Sequence, residues 1–461
     1  MPDTLRRPDA GSRPLPVRAD LPDRPMGLLA SYRTARRNLL EIIPRHALFQ
    51  PVLSGRTGPQ RWHMLMDPPA IRRVLLEAVE DYPKSVATRA VLEPAIGDSL
   101  FLAEGEDWRW QRRAAAPAFS ARSVEALTPV MTRAADAASR RLERSVDRAA
   151  DMVTEMTAAA FDVIADVTFS DGQGIDRAGV VAALEAYVDQ AARMSLLDVI
   201  GVPATVPRPA RILATRRLDA MKDEADAAIA RRQAEGPGDT QDLLDRLIAA
   251  EDAETGRRMD ADTLRETLLT FIVAGHETTA LSLSWALYLC AFDPAVQERA
   301  RSEAQATLGT RAAEAKDVAA LPYTRAVIEE ALRLYPPGAF LSRTAQKDDH
   351  HLSAAVIRPG DTVMIPVWAL HRHRRLWEDP DAFRPDRWLG DARPERWRYL
   401  PFGDGPRICI GQRFAMQEAT VILATLLARF RFDPVPGRAP KPVTILTTRP
   451  EGGVWLTVSR A

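Results

Sequence analysis

Pro401-Phe402-Gly403-Asp404-Gly405-Pro406-Arg407-Ile408-Cys409-Ile410-Gly411 is the stretch on which the fold of this chain turns. Gly403, Gly405, Pro406 and Gly411 predict a tight loop, because glycine reaches the required dihedrals at no steric cost and backbone N–H groups can then turn toward the Cys409 sulfur. Gly411 opens an apolar-periodic helix predicted over residues 413–430. A cysteine at a helix N-terminus, two residues from Arg407, meets a positive dipole end and a fixed cation, and both lower its pKa. The expectation is a sulfur held as thiolate. Read alone, Cys409 is more commonly a small buried hydrophobe.

Three further patterns stand out upstream. Ala274-Gly275-His276-Glu277-Thr278-Thr279 interrupts an apolar stretch, residues 268–292, with residues that a helix interior usually avoids. Gly275 would let a flat ligand approach, and Thr278 would bend the backbone by bonding to the Ala274 carbonyl. The alternative is a structural kink with a hydrogen-bonded Glu277. Glu330-Ala331-Leu332-Arg333 sets opposite charges three apart on one helix face, in isolation a surface ion pair of little worth. Trp108 and Arg112, four apart, also share a face that could be merely exposed and basic.

Phe402, Gly405, Arg407, Cys409 and Gly411 stand at the spacing Phe-x-x-Gly-x-Arg-x-Cys-x-Gly, which resembles the haem-binding loop of the cytochrome P450 family. The resemblance implies a haem, expected as haem b, with Cys409 as the axial iron ligand and with Phe402, Gly403, Arg407 and Gly411 around it. A thiolate ligand pushes electron density toward the iron. Residues 274–279 resemble the family's oxygen-activating groove, which implies that Ala274 and Gly275 face the haem and that Glu277 and Thr278 are the acid and alcohol of proton delivery. His276 falls one residue off that face and is read as a packing residue.

Glu330 and Arg333, followed by Leu334-Tyr335-Pro336-Pro337, resemble the family's Glu-x-x-Arg helix. Phe383-Arg384-Pro385-Asp386-Arg387-Trp388 looks like its partner segment, so Arg387 would complete a structural ion network behind the haem. Trp108 and Arg112 resemble the pair that contacts a haem carboxylate, with Arg343 and Arg407 as further candidates and His373 near them. The planar guanidinium fork suits a carboxylate.

These motifs run in order from Trp108 to Phe414 and imply a mainly α fold with a smaller β-rich lobe, a triangular helical prism enclosing the haem. Helical spacing over residues 122–168, 211–234 and 241–250 agrees, as does a hairpin predicted over residues 49–66 about the turn Gly55-Arg56-Thr57-Gly58. Residues 362–367 and 443–457 supply later strands, and residues 170–177 and 236–240 read as surface loops. Residues 26–461 are expected to form one domain after a mobile lead-in of residues 1–25, rich in Arg, Asp and Pro and without the apolar core of a signal peptide or anchor.

Lys plus Arg and Asp plus Glu both number 62, so no global field favours nucleic acid or a membrane surface. Two cysteines, Cys290 and Cys409, give no disulfide framework and fit a reducing, cytoplasmic compartment without an integral membrane anchor. Phe271, Ala274, Ala339, Phe340, Leu341 and Thr447, with residues 85–100 and 194–206, are the candidate pocket, largely apolar, which implies a lipophilic small-molecule substrate.

The function implied is a monooxygenase that inserts one atom of O2 into that substrate. Electrons would come from a ferredoxin or flavodoxin-type donor with its reductase, since no flavin or iron-sulfur segment follows Phe414 in the sequence. A peroxide-using or isomerising haem-thiolate enzyme is the alternative, disfavoured by the intact Glu277-Thr278 pair. A non-catalytic haem sensor is a third reading.

Overall fold

The computed structural model describes residues 14–24, 26–169, 209–237, 241–352, 355–390 and 394–461. Its axis is one 32-residue helix, Ala261–Phe292, hereafter the groove helix. Asp260 caps its start by accepting the Thr263 N–H at 2.9 Å. Pro294, which cannot continue the ladder, opens the next helix, Pro294–Leu308, at an angle of 114° to it. The polar cluster at 275–279 does not break the groove helix, because burial against Met152–Phe169, Pro322–Leu334 and Gln412–Arg429 outweighs local propensity. Among the described residues no single helix is long and apolar enough to cross a membrane.

The sheet-rich part uses β1 (Val52–Thr57), β2 (Gln60–Leu65), β3 (Ala149–Asp151), β4 (Leu341–Thr344), β5 (Asp349–Leu352), β6 (Ala355–Ile357), β7 (Thr362–Ile365), β8 (Phe430–Pro434), β9 (Lys441–Thr444), β10 (Thr448–Glu451) and β11 (Trp455–Arg460). The main sheet has the order β1-β2-β7-β4, with β2 and β7 parallel and the other pairs antiparallel. The hairpin expected over residues 49–66 is β1–β2, but its turn is Gly58-Pro59, not Gly55 to Gly58. Gly55 pairs with Trp62, and a Cβ there would lie 2.2 Å from the indole. That glycine serves close packing, while Gly58, at φ +60°, makes the turn.

Other expectations divide similarly. The predicted helical run over residues 122–168 is Ala121–Ala126, Thr128–Glu143 and Met152–Phe169, parted by β3 and by Asp147 at φ +61°. The stretch 443–457 spans parts of three strands, β9 to β11. Residues 170–177, 194–206 and 238–240 lie outside the described residues. Within the lead-in expected to be mobile, residues 14–24 are described and docked. Val17 donates its N–H to Tyr288 Oη at 3.1 Å, its carbonyl accepts from Tyr335 Oη at 2.7 Å, and Arg18 pairs with Asp381 at 2.7 Å. Those three contacts are long-range and could not be read from local composition.

Candidate active site

The Cys409 loop is closed by its own backbone. Cys409 N–H donates to Phe402 O at 2.9 Å and Ile408 N–H to Gly405 O at 3.1 Å. Gly403 and Gly405 sit at φ +70° and +74°, and a Cβ on Gly405 would fall 2.1 Å from Leu75 O, so only glycine fits there. A Cβ at Gly411 would lie 4.0 Å from Cys409 Sγ. The helix that follows, Gln412–Arg429, starts one residue earlier than predicted, and its Gly411 and Gln412 N–H groups turn toward the sulfur as expected.

The Cys409 sulfur is open to the cavity, and desolvation in that recess pushes the free thiol up while the Gly411 and Gln412 N–H groups and Arg112 pull it down. Arg407, assigned that role by its position in the sequence, points elsewhere. It pairs with Glu104, donates to Ala103 O at 2.7 Å and lies 4.3 Å over the Trp108 ring. The cation beside the sulfur is Arg112. A bound metal ion would remove the need for a proton on sulfur.

The opposite wall is the groove helix. Thr278 Oγ1 donates to Ala274 O at 2.7 Å, the bond its position predicts, and Ala274, Gly275, Thr278, Thr279 and Ser282 border the cavity. Gly275 lines the cavity as expected of it, and a Cβ there would also meet Ile164 Cδ1 at 3.2 Å, so its missing side chain lets the Met152–Phe169 helix approach as well. His276 packs inward, hydrogen-bonded through Nδ1 to Ile272 O at 2.8 Å, as a packing residue does. Glu277 lies outside the cavity lining. Its Oε1 accepts from Thr447 Oγ1 at 2.7 Å and from Arg449 Nε at 2.6 Å, both from the β9–β10 hairpin. One residue along a helix is a turn of about 100°, which carries Glu277 off the face that Thr278 presents.

Cations gather at one end of the cavity. Arg112, Arg343, Arg407 and Lys84 all line it, and Glu104 is the carboxylate among them. Burial, then Arg407, holds Arg343 down at about 10, and burial lowers Arg112. Lys84 falls well below the lysine range through burial and the charges of Arg343 and Arg407. It was not found in the sequence, where Pro83-Lys84-Ser85 belongs to no motif. His373 does not line the cavity; it is buried near the 45–50 segment, its ring pushed below the usual range by burial.

Behind the loop, Glu330 and Arg333 are fully buried. Arg333 uses Nε and Nη2 on Glu330, both at 2.8 Å, and its remaining N–H groups on the carbonyls of His371, Pro380 and Ala382. Glu330 also accepts from Arg387 Nε at 3.1 Å, Arg384 N at 3.0 Å and Trp388 Nε1 at 2.9 Å. His371, another residue missed in the sequence, links this network to the loop. Leu400 N–H donates to its Nε2 at 2.8 Å, so Nδ1 carries the proton and donates to Arg333 O at 3.1 Å. Burial, with Arg333 next, keeps that imidazole neutral.

Between the walls lies a cavity of about 340 Å³, within the range of sites that bury a small molecule. Trp108, Arg112, Ala274, Gly275, Arg343, Phe402, Gly403, Arg407, Cys409 and Gly411 all line it, as do Phe271 and Leu341. Ala339, Phe340 and Thr447 do not. Ala339 is core, with its carbonyl taken by Trp368 N–H at 3.3 Å, and Phe340 packs on the core. Strand alternation in β4 sends Leu341 and Arg343 to the cavity side, and Thr447 is spent on Glu277. Among the described residues Lys84, Arg112 and Arg343 carry no ion pair of their own. A soft sulfur facing an apolar slot, with buried or half-buried cations short of carboxylates at its rim, fits a flat metal-bearing group that brings two carboxylates.

Residues 25–457 match the family model described as Cytochrome P450. The chain is 34% identical to cyclooctatin synthase of Streptomyces melanosporofaciens, covering 89% of each chain. It is 33% identical to cyclooctat-9-en-7-ol 5-monooxygenase of the same organism, covering 86% of this chain and 85% of that one. The crystal structure of the cytochrome P450DA heme domain superimposes with a TM-score of 0.79 at 27% identity, covering 89% of this chain and 90% of that one.

Proposed function

The chain belongs to the cytochrome P450 family and is a haem-thiolate monooxygenase, and on that premise we propose how its own residues divide the work. The observation that carries the reading is the cavity itself, with Cys409 on one wall, Thr278 on the other and the cations at the rim. When bound, the haem, which we take to be haem b, supplies the iron centre at which one atom of O2 is transferred to substrate.

Cys409 is the residue to hold the iron, and the Gly411 and Gln412 N–H groups stabilise negative charge on its sulfur. Trp108, Arg112, Arg343 and Arg407 hold the cofactor's carboxylates, and Lys84 joins them. Phe402, Gly403, Gly411, Ala274 and Gly275 shape the slot for a flat ring. Thr278 positions a water and passes its proton into the cavity, since its hydroxyl already faces the space while bonded to Ala274 O. Glu277 connects to that face from outside and is held by Arg449 and Thr447.

Phe271 and Leu341, with Phe119, Ile164 and Val167, give the cavity its apolar surface and fit a lipophilic substrate. We assign electron supply to a ferredoxin or flavodoxin-type protein with its reductase. The outer side of the Cys409 loop supports this, where Leu76, Pro406 and Arg413 are exposed. Cytoplasmic residence and a single domain over residues 26–461 belong to the same proposal.

The test is turnover by the haem-loaded protein with reductant, O2 and a surrogate reductase over a panel of lipophilic compounds. Oxygenated product dependent on O2 and on the electron donor is expected. Product formed from peroxide alone at an equal rate would overturn the electron-transfer reading.

A further inference from the structure

The main sheet carries a second cluster of polar side chains, none of which lines the Cys409 cavity. Ser54 on β1 and His63 on β2 are register partners in the hairpin, and Ser54 Oγ lies 2.8 Å from His63 Nδ1. The other ring nitrogen, Nε2, lies 3.0 Å from Oδ2 of Asp361, the residue before β7. Asp361 Oδ2 also accepts the Arg358 N–H at 2.9 Å and pairs with Arg61 Nη2 at 3.1 Å. His63 and Asp361 are buried, and Ser54 is exposed.

An ionised Asp361 can only accept, so in the neutral ring Nε2 carries the hydrogen and Nδ1 accepts from the Ser54 hydroxyl. A serine facing a histidine across a hairpin is ordinary pairing. A buried carboxylate on the far nitrogen makes it the arrangement of an activated nucleophile: hydroxyl, base and a third group that orients the base.

The strand edge and the neighbouring charges add to this. Met66 N–H donates to Pro51 O, so alternation makes Leu53–Met64 and Gly55–Trp62 the hydrogen-bonded pairs and Ser54–His63 a non-hydrogen-bonded one. β1 is the outer strand of its sheet, and the Ser54 N–H therefore points out from the unpaired edge. Beside its own Oγ, that N–H is a donor for the oxygen of a carbonyl under attack. Arg56 and Arg61 form the next opposed pair on the same face, and like charges directly opposite are unfavourable. Arg61 has Asp361, whereas among the described residues Arg56 has no carboxylate partner. An anionic group beside Ser54 would supply one.

We propose that Ser54, His63 and Asp361 form a second active site, one that cleaves small carboxylic esters bearing an anionic group. Ser54 Oγ attacks the ester carbonyl carbon as the hydroxyl proton passes to His63 Nδ1. The bond from that carbon to the leaving oxygen breaks, the proton departs with that oxygen as an alcohol, and the acyl group remains on Ser54. Water then attacks the acyl carbon, passing its proton through His63 to Ser54 Oγ, and a carboxylic acid is released. No oxidant or reductant is needed, and the step is independent of the haem chemistry. Asp361 is a positioning residue, and Arg56 binds the anionic group.

The haem-loaded protein, mixed with 4-nitrophenyl acetate or 4-nitrophenyl hydrogen succinate, should release a burst of about one equivalent of nitrophenol per chain. Mass spectrometry of the acid-quenched protein should place the acyl group on Ser54. The succinate ester should show a KM about tenfold lower, and Arg56→Met should erase that difference with the acylation rate unchanged. Asp361→Asn should slow acylation by about a hundredfold with KM unchanged, a split that general loss of structure would not give. Ser54→Ala should abolish burst and adduct while haem content, carbon monoxide spectrum and product per reducing equivalent stay at wild type. No burst, an acyl group only at other residues, or a burst that survives in Ser54→Ala overturns the site. Equal KM values for the two esters overturn the anionic class. Should Ser54→Ala or Asp361→Asn fail to load haem, the position of the acyl group on the wild-type chain decides alone.

Discussion

The helices Pro322–Leu334 and Ala261–Phe292 both bury polar groups beside the cavity, and they satisfy them in opposite ways. On the first, Glu330 and Arg333 are bound to each other and to the backbone of residues 371–384, with no donor of Arg333 left over. On the groove helix, His276, Thr278 and Ser282 bond to carbonyls four residues back on their own helix. Such local bonds can be remade around a ligand without moving another element. The first helix is frame; the groove helix is the working surface.

Arg333→Ala should break the frame most severely. It leaves the Glu330 carboxylate buried with part of its compensation gone, a loss of about 3–5 kcal/mol. That is a large share of a typical domain's stability. Denaturant unfolding and haem content per chain measure it, and a variant that folds and loads haem normally would remove the network from the frame.

Cys409→Ala cuts at the point where the frame meets the chemistry. The loop's backbone bonds, Cys409 N to Phe402 O among them, do not need the sulfur, so the fold should survive. The red-shifted carbon monoxide absorbance of thiolate ligation and all turnover should be lost. If that absorbance remains, Cys409 is not the ligand.

How far this contrast could be read from the chain follows from where each contact lies. The Glu330–Arg333 pair was visible because i, i+3 spacing on a helix is itself a contact. The loop was visible because Gly403 and Gly405 carry dihedral or space requirements that few residues meet. Lys84, His371 and Arg449 were missed because each acts across 29 to 172 positions of sequence or on a cavity whose walls come from many segments. His373 was chosen where its neighbour His371 is the structural residue, since two histidines in His-Arg-His cannot be told apart without knowing which faces Arg333. Gly55 was misread as a turn because its reason, the Trp62 ring, sits on the partner strand.

On the working surface the effects should be chemical and not structural. Thr278→Ala removes one hydroxyl bonded to its own helix, so haem content and unfolding midpoint should stay near wild type. Product per reducing equivalent should fall by about tenfold or more, with peroxide released in its place. Peroxide assay against donor consumption measures this, and unchanged coupling would take Thr278 out of proton delivery.

Lys84 gives the smallest effect and the finest distinction, because its contribution changes sign when the cavity fills. In the haem-free fold, burial and the nearby Arg343 and Arg407 charges depress its pKa, so the unfolded chain holds its proton more tightly than the fold does. That difference costs stability, and the cost grows as pH falls below the ordinary lysine value of 10.5 toward the depressed folded value. Lys84→Met should therefore stabilise the haem-free protein, more at neutral pH than near pH 10.5. With two carboxylates at the rim the same ammonium becomes a partner, and the substitution should speed haem loss to an acceptor by about tenfold, in line with about 1.5 kcal/mol at the low end for a hydrogen bond to a charged group. Thermal unfolding of the haem-free protein across pH and haem-transfer kinetics of the loaded protein are the two measurements. Equal effects of one sign in both would make Lys84 a packing residue of the rim, with no part in holding the cofactor's carboxylates.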